Sequence, residues 1–182
     1  MKTSQEYLDS LAAMKHNVWM NGRKIERPWE HPQIVPGINI VRLTYDWPPQ
    51  EENRDLFTAT SHLSGKTINR FNHIHQSPED LQKKVEMTRL YCRETGCIQR
   101  CMGVDALNAL SVICHYADNL FGTAYYPRLM EFARTFQGED LVGNAAMTDV
   151  KGDRRLRPHQ QADPDLYLRV VEQRKDGIVV RG

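Results

Sequence analysis

Two cysteines four residues apart, Cys97 and Cys101 in the run Cys97-Ile98-Gln99-Arg100-Cys101, are the side chains of this sequence best suited to chemistry. On a helix, positions i and i+4 lie about 40° apart, so both sulfurs reach one metal centre from one face. Thiolates select zinc or iron–sulfur clusters. A zinc-ribbon pair fits loosely, but no matching second pair follows. The radical-SAM spacing is excluded, because it needs a cysteine where Val104 stands. Spacing therefore leaves two readings open, ligation or two buried small hydrophobes. The chain has 4 cysteines, and the other two, Cys92 and Cys114, lie in the same stretch and read as core. Such a cluster in a chain without a secretory signal points to metal, redox or packing before disulfides.

Two further groups carry polar chemistry. His73-Ile74-His75 would present both rings on one side of a strand, a weak metal pair or a pair of hydrogen-bonding histidines. Asp149, Lys151, Gly152, Asp153, Arg154 and Arg155 form a charged turn containing one glycine. It reads either as a solvated loop or as N–H groups and cations gathered near a phosphate or flavin.

The elements that position these residues are mainly helical. Thr3 and Glu6 have capping-box spacing, and Tyr7, Leu11, Met14 and Val18 follow at helical intervals, which predicts an opening helix of about four turns. Pro28, Pro32, Pro36, Pro48 and Pro49 forbid a long regular element between Asn21 and Gln50, leaving only Ile38 to Tyr45 for a short strand or helical piece. Ser77-Pro78-Glu79-Asp80 is a strong helix start whose helix presents Leu81, Val85, Thr88 and Cys92 on one stripe and stops or kinks at Gly96. From about Cys97 to Leu120, Val104, Leu107, Leu110, Val112, Ile113 and Ala117 spread round the helix, predicting burial on several sides. A shorter helix covers Pro127 to Phe136. Beyond Gln137 the pattern becomes loop and strand. Leu166, Leu168 and Val170 alternate with polar residues, and Asp176-Gly177 turns the chain into Ile178-Val179-Val180. A lone hairpin is marginal in water, so the chain reads as stopping where a β-domain begins.

At 182 residues, with 40% hydrophobic and 26% charged residues, the sequence is that of a soluble globular protein of one domain and part of another. Twenty-four Lys+Arg against 23 Asp+Glu leave a charge of +1, which argues against nucleic acid as a partner. No apolar run is long enough to span a membrane, and the polar start Met1 to Leu11 lacks a signal-peptide core, so a cytoplasmic location is expected.

Six stretches, taken in order, resemble the 4-hydroxyphenylacetate 3-hydroxylase family of flavoproteins. They are Gly65-Lys66-Thr67-Ile68-Asn69-Arg70-Phe71, His75-Gln76-Ser77, Cys97 to Cys101, Ala145-Ala146-Met147-Thr148-Asp149, Lys151-Gly152-Asp153-Arg154 and Asp176 to Gly182. The resemblance implies an acyl-CoA dehydrogenase-like fold, with an N-terminal helical domain over 1–141 and the incomplete start of a middle β-domain over 142–182. The C-x-x-x-C pair points to the branch of the family that is a lyase and isomerase. That branch converts 4-hydroxybutyryl-CoA to crotonyl-CoA by a ketyl-radical-type route and isomerises vinylacetyl-CoA. There Cys97 and Cys101 would hold two irons of a [4Fe-4S] cluster, with a histidine, a further cysteine and the catalytic base beyond residue 182. Met147, Thr148, Asp149, Lys151, Gly152, Asp153 and Arg154 would contact FAD, Gln99 would face the acyl-CoA substrate or flavin, and the full-length protein would be a homotetramer. The family alternative is a reduced-flavin-dependent aromatic monooxygenase without a cluster. A third reading is a truncated, inactive fragment that associates through its open hairpin edge.

Overall fold

Side-chain caps at Thr3 and Ser77 open the helices that start at Ser4 and Pro78, in a computed structural model that shows residues 1–96, 100–144, 149–150 and 152–182. The chain separates into two compact units, Met1–Asn144 and Ala145–Gly182.

The first unit is helical with small two-stranded sheets. Helix α1 (Ser4–Ala13) opens on the expected capping box: the Glu6 N–H donates to Thr3 Oγ1 at 3.2 Å and the Thr3 N–H to Glu6 Oε2 at 2.7 Å. It is shorter than the periodicity predicts. Met14 turns extended, and Val18 belongs instead to strand β1 (Val18–Met20), paired antiparallel with β2 (Arg23–Ile25). Asn21 (φ 50°) and Gly22 (φ 74°) join them; two residues at positive φ are the signature of a tight hairpin turn. Helix α2 (Val35–Asp46) contains the Ile38 to Tyr45 piece. It starts with Pro36 in its first turn, where a missing N–H costs nothing.

Helix α3 (Glu51–Phe57) leads into strands β3 (Thr58–Thr60) and β4 (Thr67–Asn69), an antiparallel pair. A single 3-10 turn, Arg70–Asn72, follows. Helix α4 (Pro78–Thr95) has Ser77 as N-cap, accepting the Asp80 N–H at 3.2 Å, and ends on Gly96 at φ 68°, a left-handed position that glycine adopts without strain. Its buried face is not the predicted Leu81–Val85–Thr88–Cys92 stripe: Met87 and Tyr91 are fully buried, while Leu81 is 52% exposed. The large side chains of Met87 and Tyr91 meet Phe57, Phe71 and Val104 with Trp47 and Leu90 alongside, and this aromatic cluster outcompetes the thinner stripe.

Helix α5 (Cys101–Phe121) and helix α6 (Tyr125–Gly138) pack together through Leu107, Met130, Ala133 and Phe136, joined by Ile74 from the loop before α4. The expected burial of α5 on several sides is not found; only the face carrying Gly103, Val104 and Leu107 near its start is buried, and Asp105 and Ala106 beside it are exposed. Val104 and Leu107 are buried, whereas Leu110, Val112 and Ile113 are exposed. A third cluster, Tyr7, Val41 and Tyr45, takes in Val142, which ties the segment after α6 to the helices.

The second unit contains the hairpin β5 (Arg169–Arg174) and β6 (Gly177–Arg181), with a register irregularity between Val170 and Glu172. The strands are antiparallel and Arg174 pairs with Gly177, so Lys175 and Asp176 make the turn, one residue earlier than the sequence suggests. Among the described residues no helix is long and apolar enough to cross a membrane.

Candidate functional site

The cysteine motif lies in the link between α4 and α5. Cys101 is the first residue of α5 and is half-buried, whereas Cys97 and Gln99 lie outside the described residues. The expected shared helical face involves Cys97 and so lies outside the described residues; at its described end, Cys101 opens α5. A thiolate at a helix N-terminus sits in the positive field of the backbone N–H groups, which favours the ionised ligand form.

What holds this link is Arg100, a residue the sequence reading did not single out. Its guanidinium is fully buried and forms an ion pair with Asp140, which is 1% exposed. Arg100 Nη1 donates to Thr44 Oγ1 at 3.0 Å, and Nη2 donates to Asn72 Oδ1 at 3.2 Å and to the Leu141 carbonyl at 3.0 Å. The charge also rests over the Tyr45 ring, with Cζ 4.6 Å from its centroid. Arg100 Nε is buried and meets no acceptor among the described residues.

The network continues outward. Asn72 Nδ2 donates to Asp140 Oδ1 at 3.0 Å, the Lys2 N–H to Asp140 Oδ2 at 3.1 Å, and the Tyr45 hydroxyl to the Asp140 carbonyl at 2.9 Å. Gln137 Nε2 donates to the Asn72 carbonyl at 2.9 Å, and Ser61 Oγ to Gln137 Oε1 at 2.6 Å. Burial pushes the Tyr45 phenol well above its ordinary range, with the Arg100 charge opposing only part of that rise. One close backbone approach completes the link. A Cβ on Gly143 would lie 2.6 Å from Gly103 Cα, and one on Gly103 would lie 3.1 Å from Gly143 Cα, so the first turn of α5 sits directly on the 141–144 segment and Gly143 leaves no room for a side chain.

The histidines do not lie on a strand. His73 follows the Arg70–Asn72 turn, and its ring lies 6.1 Å from that of His75. His73 Nε2 is 3.0 Å from Asp80 Oδ2, and Arg70 Nη1 is 3.3 Å from Asp80 Oδ1. Burial alone would raise the Asp80 carboxyl; the Gln76 N–H, His73 and Arg70 outweigh it and hold the group at about 2. The His75 imidazole is pushed down, first by burial and then by the neighbouring His73. Arg70 also donates to the carbonyls of Leu56, Asp55 and Thr58, so this cluster fastens α4 to the β3–β4 hairpin. Among the described residues no group of three or more His, Cys, Asp or Glu side chains could hold a metal.

In the second unit, Met147, Thr148 and Lys151 lie outside the described residues. Asp149 Oδ1 accepts the Leu168 N–H at 3.1 Å. Gly152 leaves room for Gln161, whose Oε1 would be 2.4 Å from a Cβ there and accepts the Asp153 N–H at 3.0 Å. Asp153 is taken up by Arg155, through Nε at 2.9 Å and Nη2 at 2.7 Å. Arg154 is exposed. Asp149, Gly152 and Asp153 thus shape the loop, and Arg154, exposed like Asp149, takes part in none of these bonds.

Residues 3–182 match the model of the 4-hydroxyphenylacetate 3-hydroxylase N-terminal family. The chain is 48% identical to a 4-hydroxybutyryl-CoA dehydratase/vinylacetyl-CoA-Δ-isomerase from Clostridium aminobutyricum, matched over 100% of this chain and 37% of that protein. It is 28% identical, over the same shares, to a 4-hydroxyphenylacetate 3-monooxygenase oxygenase component from Thermus thermophilus. Among solved structures, an oxygen-tolerant archaeal 4-hydroxybutyryl-CoA dehydratase from N. maritimus superposes with a TM-score of 0.89 at 40% identity, over 98% of this chain and 36% of the other. The oxygenase component of a 4-hydroxyphenylacetate 3-monooxygenase, complexed with FAD and 4-hydroxyphenylacetate, gives a TM-score of 0.78 at 27% identity, over 100% and 37%. The chain therefore spans 37% of the length of the curated relatives it matches.

Proposed function

This chain belongs to the 4-hydroxyphenylacetate 3-hydroxylase N-terminal family, and on that premise we propose that it serves as the N-terminal part of a flavin- and iron–sulfur-dependent 4-hydroxybutyryl-CoA dehydratase with vinylacetyl-CoA isomerase activity. The observation that carries this choice is the gap between 48% identity to the dehydratase and 28% to the monooxygenase component. The monooxygenase reading keeps the flavin and assigns Cys97 and Cys101 to packing.

The residues present suit a cluster in two respects. Cys101 stands at a helix N-terminus, where thiolate is favoured, and Arg100 Nε is a buried donor in need of an electron-rich acceptor, the kind that cluster sulfur provides. When bound, FAD and the cluster supply one-electron chemistry and a Lewis-acidic iron for a departing hydroxyl. In this reading Cys97 and Cys101 are two of the ligands, and the rest come from outside residues 1–182. Gln99, between them, donates or accepts a hydrogen bond at the acyl-CoA substrate. The 147–154 segment borders the flavin, with Asp149 and Asp153 fixing the loop's shape and Lys151 and Arg154 supplying positive charge. Binding of an acyl-CoA, a homotetrameric assembly and a cytoplasmic location complete the proposal.

The test is anaerobic turnover of 4-hydroxybutyryl-CoA by the full-length protein, with crotonyl-CoA followed by chromatography. Crotonyl-CoA formation without added reductant supports the proposal. Hydroxylation of 4-hydroxyphenylacetate with reduced flavin and oxygen, and no thioester product, would overturn it in favour of the monooxygenase.

A further inference from the structure

A buried ion pair is a poor way to add stability, since desolvation offsets most of the attraction and apolar side chains of equal volume serve as well or better. The Arg100–Asp140 pair is nevertheless fully buried, and it sits immediately before Cys101. Its geometry is over-determined. Arg100 is held by Thr44 from α2, Asn72 from the turn after β4, and Asp140 and Leu141 from the segment after α6. Asp140 is held in turn by the Lys2 N–H and Asn72 Nδ2, at a backbone φ of 46° that a non-glycine residue seldom adopts. The Gly103–Gly143 contact then presses the first turn of α5 onto the same segment. Three parts of the helical unit converge on the one residue that precedes the second cysteine.

We propose that Arg100 is a positioning residue for the metal centre. The clamp of Arg100 on Thr44, Asn72, Asp140 and Leu141 fixes where the Cys101 thiolate stands, and the buried guanidinium tunes the centre's reduction potential. This rests on the cluster reading above. A potential is set by net charge and by hydrogen bonds to sulfur as well as by the ligands themselves, so a fixed buried cation beside a ligand favours the reduced, more negative state. Asp140 tempers that effect by neutralising Arg100.

The experiment uses anaerobically purified full-length protein, with iron content, the electron paramagnetic resonance spectrum of the reduced centre and its midpoint potential as readouts. Asp140→Asn keeps the shape but removes the counter-charge, and is expected to retain iron while moving the midpoint potential upward. Thr44→Val removes one hydroxyl acceptor without changing charge, and is expected to alter the resonance spectrum with little change in potential. Should Asp140→Asn fail to fold, Thr44→Val carries the test, with circular dichroism confirming unchanged helix. Folded, iron-loaded variants with the wild-type spectrum and potential overturn the proposal and leave Arg100 a structural residue. Wild-type protein without iron overturns the cluster reading itself, and the iron count separates the two failures.

Discussion

Asp140→Ala is the harshest single perturbation of the buried network. It leaves the Arg100 charge with no solvent exposure and no counter-ion. The guanidinium keeps Thr44, Asn72 and the Leu141 carbonyl as acceptors, and the Tyr45 hydroxyl keeps the backbone carbonyl of residue 140. Asn72 Nδ2 and the Lys2 N–H lose theirs. Breaking a buried pair from one side costs about 3–5 kcal/mol. The orphaned Asn72 amide adds about 1 kcal/mol, and the part-buried Lys2 N–H less, because water replaces its partner. A total of about 4–6 kcal/mol approaches the whole stability of a typical domain. Arg100→Met with Asp140→Leu removes both charges together and is expected to cost less than about 2 kcal/mol. Urea melts followed by far-UV circular dichroism, run on wild type, Asp140→Ala, Arg100→Met, Asp140→Leu and the Arg100→Met/Asp140→Leu double, give the cost of the broken pair and the coupling energy. Asp140→Ala within about 1 kcal/mol of wild type, or a double variant as unstable as the two singles added, would refute the view that charge compensation holds this link in place.

Ser77→Ala removes the acceptor for the Asp80 N–H and should cost about 1 kcal/mol, read from the same melts; no loss would show that Pro78 and the first-turn acids suffice to start α4. Asp80, held at about 2, contributes stability above the unfolded carboxylate range that is lost as pH falls from about 4 through 2. Screening at its 20% exposed side chain limits this to about 1 kcal/mol, and Asp80→Asn should flatten that part of the stability–pH curve. Arg154→Ala in the full-length protein should weaken FAD retention with helix content unchanged, and unaltered flavin affinity would return the loop to a role in solvent.

What the sequence discloses depends on range. Ser77-Pro78 and Thr3-x-x-Glu6 are complete local signals, and α4 and α1 start where they say. Asn21-Gly22 is an equally local hairpin signal, masked by the helical spacing of Leu11, Met14 and Val18, which carried the expected helix past its real end at Ala13. The buried face of α4 depends on partners far along the chain. Leu81 and Val85 look like core by pattern, and only the placement of Phe57, Phe71 and Trp47 makes Met87 and Tyr91 the buried pair. The cysteine motif is visible by spacing, but its anchor is not. Arg100 and Asp140 are 40 residues apart, and nothing local distinguishes either from a surface charge. Gly103 and Gly143 show the same limit, since their contact is a fact of tertiary packing.

The account turns on whether Cys97 and Cys101 hold a metal cluster. Iron and acid-labile sulfide counted per subunit in anaerobically purified full-length protein, beside a Cys101→Ala variant, test this directly. About four irons and as much sulfide in the wild type, with most of both lost in the variant, is the predicted result. A flavin-loaded wild type free of iron, with a Cys101→Ala variant just as active, would contradict it.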